Sequence, residues 1–134
     1  MSDLLVVDDD PDLGDLLRDL LAGEGHTVRL ARDGEEGLAR VAERHPDLVL
    51  LDVEMPRLTG PEMSYRMLLH DLGQEEIPIV LLSGVTNLSR VAGAVGTPYF
   101  LPKPYDLPAV LKVIARALVE RRAPAPQLPA EVSP

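Results

Sequence analysis

Short apolar runs alternate with amphipathic stretches along this chain. Leu4-Leu5-Val6-Val7, Leu48-Val49-Leu50-Leu51 and Ile79-Val80-Leu81-Leu82 are continuous apolar segments bounded by acids, a hydroxyl or a proline. They are too short for helices and predict strands buried on both faces. Residues 26–31 alternate, with β-branched Thr27 and Val28, and predict a strand at a sheet edge. Residues 97–101 predict a fifth strand. Between the strands, Leu13, Leu16, Leu17, Leu20 and Leu21 recur at helical offsets and form one apolar face. Pro11 opens that helix, and Gly23 and Gly25 end it. Leu38, Val41 and Ala42 mark a second helix ending near His45-Pro46. Pro61 opens a third, with Met63, Met67, Leu68 and Leu72 inward and Gly73 at its close. Residues 87–94 predict a short fourth helix. Asp106 caps a last one carrying Leu107, Val110, Leu111, Ile114 and Leu118.

The order is strand then helix, five times over. Such alternation implies parallel pairing, with helices on both faces to cover strands that are apolar on both sides. The fold class expected is therefore α/β, an open doubly wound parallel sheet of five strands with five helices. A closed barrel needs eight such units and a much longer chain. The expected domain runs from 1 to 121. Residues 123–134 hold four prolines and no periodic pattern, so 122–134 is expected to be a disordered Pro-rich tail.

Composition narrows the function classes. With 134 residues and 46% hydrophobic content, one core can be filled. There is no cysteine, which removes disulfides and thiolate metal sites. No apolar run approaches the ~18 residues of a membrane span, and no secretory leader opens the chain. A cytoplasmic protein without membrane contact is expected. The net charge is −9 and no basic stripe with interleaved aromatics occurs, so direct nucleic-acid binding is not expected.

Candidate chemistry lies just past the strands. The first ends in Asp8-Asp9-Asp10, and the third in Asp52 with Glu54 two residues on. The fourth ends in Ser83, and Lys103 follows the fifth. In open parallel sheets the carboxyl ends of the strands share one edge, where ligands bind. Each residue alone has a plain reading: Asp8 or Asp10 as a helix-start acid, Asp52 and Ser83 as turn residues, Lys103 as a surface cation. Their recurrence at four strand ends is harder to explain that way. Clustered carboxylates repel one another unless a cation compensates them. Hard oxygen donors of this kind suit Mg²⁺, which binds a few carboxylates and keeps several waters. With a divalent ion and Lys103 balancing charge, Asp52 can act as a carboxylate nucleophile toward a phosphoryl group, and Ser83 can donate to a phosphoryl oxygen. Other motifs fail. Asp8, Asp10 and Asp12 imitate a calcium loop, but Leu13 stands where glycine is required and Pro11 intervenes. No GxGxxG or GxxxxGK[ST] loop occurs. His26, His45 and His70 lie on unrelated elements and are read as surface residues.

These residues resemble the receiver domain of bacterial two-component response regulators. The resemblance covers roughly residues 3–120. It rests on Leu5-Val6-Val7-Asp8-Asp9-Asp10-Pro11, on Asp47 through Pro56 with Gly60, on Ile79 through Gly84, and on Phe100-Leu101-Pro102-Lys103-Pro104. It implies a flavodoxin-like sheet of strand order 2-1-3-4-5. It implies Asp52 as phosphoacceptor, Asp9 as main ligand of Mg²⁺ or Mn²⁺, and Asp8 holding metal waters or the lysine. The backbone carbonyl of Glu54 would complete the metal sphere. Ser83 would be the switch hydroxyl, Lys103 the phosphoryl clamp, and Phe100 the switch aromatic that turns inward. The Lys103–Pro104 bond is cis in the family.

The partners implied are a sensor histidine kinase or histidine phosphotransfer protein, and a downstream protein at the face of the fourth helix, fifth strand and fifth helix. That face also permits a homodimer. A stand-alone receiver that catalyses only its own phosphorylation and dephosphorylation is expected, since no effector domain is seen. Three departures bear on the output face: Arg57 where glycine is frequent, Gly84 where alanine is usual, and Gly93 and Gly96 in the fourth-helix region. The alternative is a pseudo-receiver that binds proteins without turning over phosphate. A flavin-binding flavodoxin-like protein would need a phosphate loop in place of three aspartates. A phosphatase with an aspartate nucleophile would need aspartate where Glu54 stands.

Overall fold

In the computed structural model of the chain, residues 2–52, 77–83, 92–93, 96–102 and 106–121 are described. They form β1 (Asp3–Val7), α1 (Pro11–Gly23), β2 (Thr27–Ala31), α2 (Gly34–Glu43), β3 (Leu48–Asp52), β4 (Ile79–Ser83), β5 (Tyr99–Pro102) and α3 (Leu107–Glu120). Helix α3 is the last of the five helices expected from the sequence. The third expected helix, most of the fourth, and the tail lie outside the described residues.

All pairings are parallel, in the order β2-β1-β3-β4-β5. The half-polar strand β2 is an edge, as its alternation predicts. The three continuous apolar runs are the interior strands β1, β3 and β4. Their side chains point alternately to two cores. Leu5, Val7, Val49, Leu51, Ile79 and Leu81 face the α2 side. Leu4, Val6, Leu48, Leu50, Val80 and Leu82 face the α1 and α3 side. Period-two alternation thus consumes every apolar residue of these runs, which is why none could be spared for a polar one.

Helix α1 begins at Pro11 and ends at Gly23, with Gly25 at φ +94° turning the chain into β2. Its apolar face is narrower than the sequence suggests. Leu17 and Leu21 are buried and Leu13 partly so, whereas Leu16 and Leu20 are exposed. A helix lying on a flat sheet touches it along one stripe, here residues 13, 17 and 21, and leaves the shoulder positions to solvent. In α2, Val41 is buried but Ala42 is exposed for the same reason. Asp106 caps α3 as expected, its Oδ1 accepting from the Ala109 N–H at 2.8 Å. The fifth strand is tied in by Thr97, whose hydroxyl donates to the Ile79 carbonyl and accepts from the Tyr99 N–H. Gly96 sits at φ +82°, with its N–H on the Ala92 carbonyl, a turn that a β-carbon would strain.

An ionic network closes the amino edge of the sheet. Arg29 on β2 donates to the carbonyls of Arg40 (2.8 Å) and Arg44 (2.7 Å), where α2 ends. Its guanidinium also reaches Asp3 Oδ2, which accepts from Arg44 Nε at 2.9 Å. Helix carbonyls at a C-terminus lack intrahelical donors and carry partial negative charge, so a cation there is favourable. Arg29→Met keeps the apolar stem and removes the clasp. The expected loss is roughly 2 kcal/mol, read as a lower urea midpoint at unchanged slope. Beside this network Arg121, in the left-handed conformation at φ 53°, ends α3 and pairs with Asp47 Oδ1 at 3.6 Å.

Candidate functional site: the carboxyl edge of the sheet

Register decides what gathers at the carboxyl edge. Val7 of β1 pairs with Leu51 of β3, so the next residue of each, Asp8 and Asp52, stands at one level on neighbouring strands. Asp52 pairs with Leu82, and Ser83 with Pro102. The backbones of Asp8, Asp52 and Ser83 are therefore adjacent along one edge, and Pro102 is followed by Lys103. For Asp52 and Ser83 the backbone is described. Glu54, Lys103 and the Lys103–Pro104 bond lie outside the described residues.

The three consecutive aspartates of β1 separate into distinct environments. Asp8 is 7% exposed, its N–H donates to the Ala31 carbonyl at 3.0 Å, and its Oδ1 accepts from the Asp10 N–H at 2.9 Å. Asp9 is exposed. Asp10 is the N-cap of α1 and accepts from the N–H groups of Asp12 (3.0 Å) and Leu13 (3.4 Å). One acid of the three is thus committed to capping the helix. Asp10→Ala removes two acceptor contacts from otherwise orphaned donors. The expected cost is about 1 kcal/mol of stability by denaturant titration.

A cleft of about 330 Å³ opens beside the acids, between the ends of β1 and β2 and the helices α1 and α2. Its polar lining includes Asp8, Asp10, Asp15, Arg18, Arg32 and Glu36. Arg18 is neutralised by Asp15 and Asp19, both at 3.3 Å. The sequence pattern does not single out Arg32: a charged residue directly after the β2 run is the available signal, but a lone cation after an edge strand is an ordinary surface feature.

The donor set fits a hard divalent cation. A carboxylate held nine-tenths buried by backbone hydrogen bonding, an exposed carboxylate next to it, and a third acid at the same level on β3 are oxygen ligands only. No complete metal-ligating group is assembled among the described residues, a set without the Asp52 side chain and Glu54.

At the other end of the edge, Phe100 on β5 is 38% exposed. It borders an open groove of about 450 Å³ with Leu101, Ala109, Lys112, Val113 and Arg116. Its neighbour Tyr99 is fully buried. The Tyr99 hydroxyl donates to Glu120 Oε1 at 2.9 Å, and the Arg116 guanidinium lies 5.2 Å from its ring centroid. Tyr99 thereby bolts β5 to the last turn of α3, a contact that the sequence spacing did not disclose.

Residues 4–115 match the family model of the response regulator receiver domain. The chain belongs to the response regulator receiver family. This receiver is 42% identical over 123 residues to the response regulator MprA of Mycobacterium sp. strain KMS, an alignment covering 90% of the chain and 52% of MprA. The chain therefore spans about half the length of that relative. Among solved structures it is similar to the chemotaxis protein CheY4 of Vibrio cholerae, with 30% identity and TM-score 0.78, covering 87% of this chain and 98% of the other. It is also similar to the response regulator TrrA of Thermotoga maritima in complex with Mg²⁺ and BeF, with 29% identity and TM-score 0.75, covering 88% and 99%. No helix among the described residues is long and apolar enough to cross a membrane.

Proposed function

We propose that this receiver accepts a phosphoryl group on Asp52 from a sensor histidine kinase or a histidine phosphotransfer protein, and does so with Mg²⁺ or Mn²⁺ bound. The observation that carries the reading is the register placing Asp52 level with Asp8 at the carboxyl edge, next to Ser83. A carboxylate oxygen of Asp52 attacks phosphorus, and the bond from phosphorus to the donor's imidazole nitrogen breaks. Asp9 would be the main metal ligand, Asp8 would hold metal waters or Lys103, and the Glu54 carbonyl would complete the sphere. The cation supplies charge neutralisation that lets an anionic nucleophile approach an anionic group. Lys103 pairs with the transferred phosphoryl oxygens, and Ser83 donates to one of them.

Output follows from a population shift. Phe100 is substantially exposed beside an open groove, and an inward turn of its ring would change that surface. β5 and α3 offer the described part of the face proposed for a downstream protein or a second receiver, with the fourth-helix region expected to complete it. MprA extends to about twice this length, so these roles are those of the receiver. The test is incubation with a small phosphodonor such as acetyl phosphate. The expected result is a mass gain of one phosphoryl group with Mg²⁺ and none with excess EDTA. Absence of any gain with Mg²⁺ overturns the reading.

A further inference from the structure

We propose that Arg32 tunes the acid site electrostatically, as a positive charge sharing the cleft with Asp8 that weakens divalent-cation affinity. The inference rests on the receiver reading of the same pocket. Val7 pairs with Ala31, so Arg32 follows β2 at the level where Asp8 follows β1. Adjacent strands run about 4.8 Å apart, and the Asp8 N–H donates to the carbonyl directly preceding Arg32. Asp8 and Arg32 line one cleft.

The two arginines of that cleft are not equivalent. Arg18 is saturated by Asp15 and Asp19 on its own helix. Arg32 is exposed and makes no ion pair with a described residue, so no single carboxylate holds its charge. It carries no visible packing or capping duty. Its field falls on Asp8, with which it shares the cleft and the strand level. A unit positive charge several ångströms from a dication site in a solvated cleft opposes binding by about threefold. Salt should erase that effect once the Debye length, about 10 Å at 0.1 M, contracts well below the separation.

The experiment is a Mg²⁺ titration of the full chain followed through the amide shifts of residues 8–10, at low and at high ionic strength, for wild type, Arg32→Gln and Arg32→Lys. Expected is about threefold tighter Mg²⁺ binding for Arg32→Gln at low salt, convergence with wild type at high salt, and wild-type behaviour for Arg32→Lys, which keeps the charge. Equal affinities for wild type and Arg32→Gln at low salt overturn the inference. So does an Arg32→Lys variant that behaves like Arg32→Gln, since shape rather than charge would then be at work. A saturable wild-type response that is insensitive to Arg32 leaves the receiver chemistry standing. No saturable response in wild type removes the metal reading itself and the inference with it.

Discussion

Asp52→Asn takes up no phosphoryl group from acetyl phosphate under conditions in which the parent protein gains one. The substitution is nearly isosteric, and the residue ends β3 at a position whose backbone pairing with Leu82 does not depend on the side chain. What is lost is the carboxylate oxygen proposed to attack phosphorus, together with one negative charge from the proposed metal set. An amide is a far poorer nucleophile, so the drop should reach the detection limit by intact mass. Two acids at one level repel in the metal-free state, so removing one should leave thermal stability equal or slightly higher. A variant that is still phosphorylated would move the acceptor to another acid, with Asp9 the first candidate. A wild type inert to both phosphodonor and Mg²⁺ would instead favour the pseudo-receiver.

The second large effect is on stability. Leu50→Ala is expected to destabilise the protein by about 3 kcal/mol, within the range found for deleting buried leucine side chains. Leu50 is 1% exposed, on a strand with a neighbour on each side, and faces the core built by Leu17 and Leu21 of α1 with Val110 and Ile114 of α3. Both helices and three strands bound the hole, so none can collapse into it without moving the others. Against a total stability typically near 5–15 kcal/mol this is a substantial fraction. Val119→Ala is the control. Val119 is 83% exposed on α3, and its truncation should shift the urea midpoint by no more than the scatter of the measurement.

The sheet was legible because its interior strands leave no room for ambiguity. Four apolar residues in a row, cut off by an aspartate or a serine, can only be strands covered twice, and β1, β3 and β4 are such strands. The edge position of β2 was legible in Thr27 and Arg29, which a central strand would not tolerate. Pro11 and Asp106 announced their helices through capping chemistry that acts over three or four residues. Leu16, Leu20 and Ala42 misled, because helical periodicity reports which side faces inward but not how wide the contact is. The Arg29, Arg44 and Asp3 network was invisible, since its partners lie up to 41 residues apart and no local pattern links them. The edge position of Asp8, Asp52 and Ser83 followed from parallel topology alone. What Asp10 does needed coordinates, because three adjacent aspartates look alike until one is seen to cap α1.

Tyr99 and Arg121 set where anything joined to the carboxyl side of this domain must begin. Asp47 precedes β3 and Asp52 ends it, so the Arg121–Asp47 pair lies a full strand, about 17 Å, from Asp52. A fluorescent protein or an effector fused after Arg121 would hang from the pole opposite Asp52. It could sense occupancy of that distant pole only through rigid leverage of the final helix, which the tyrosine hydroxyl fastens to β5 at Glu120.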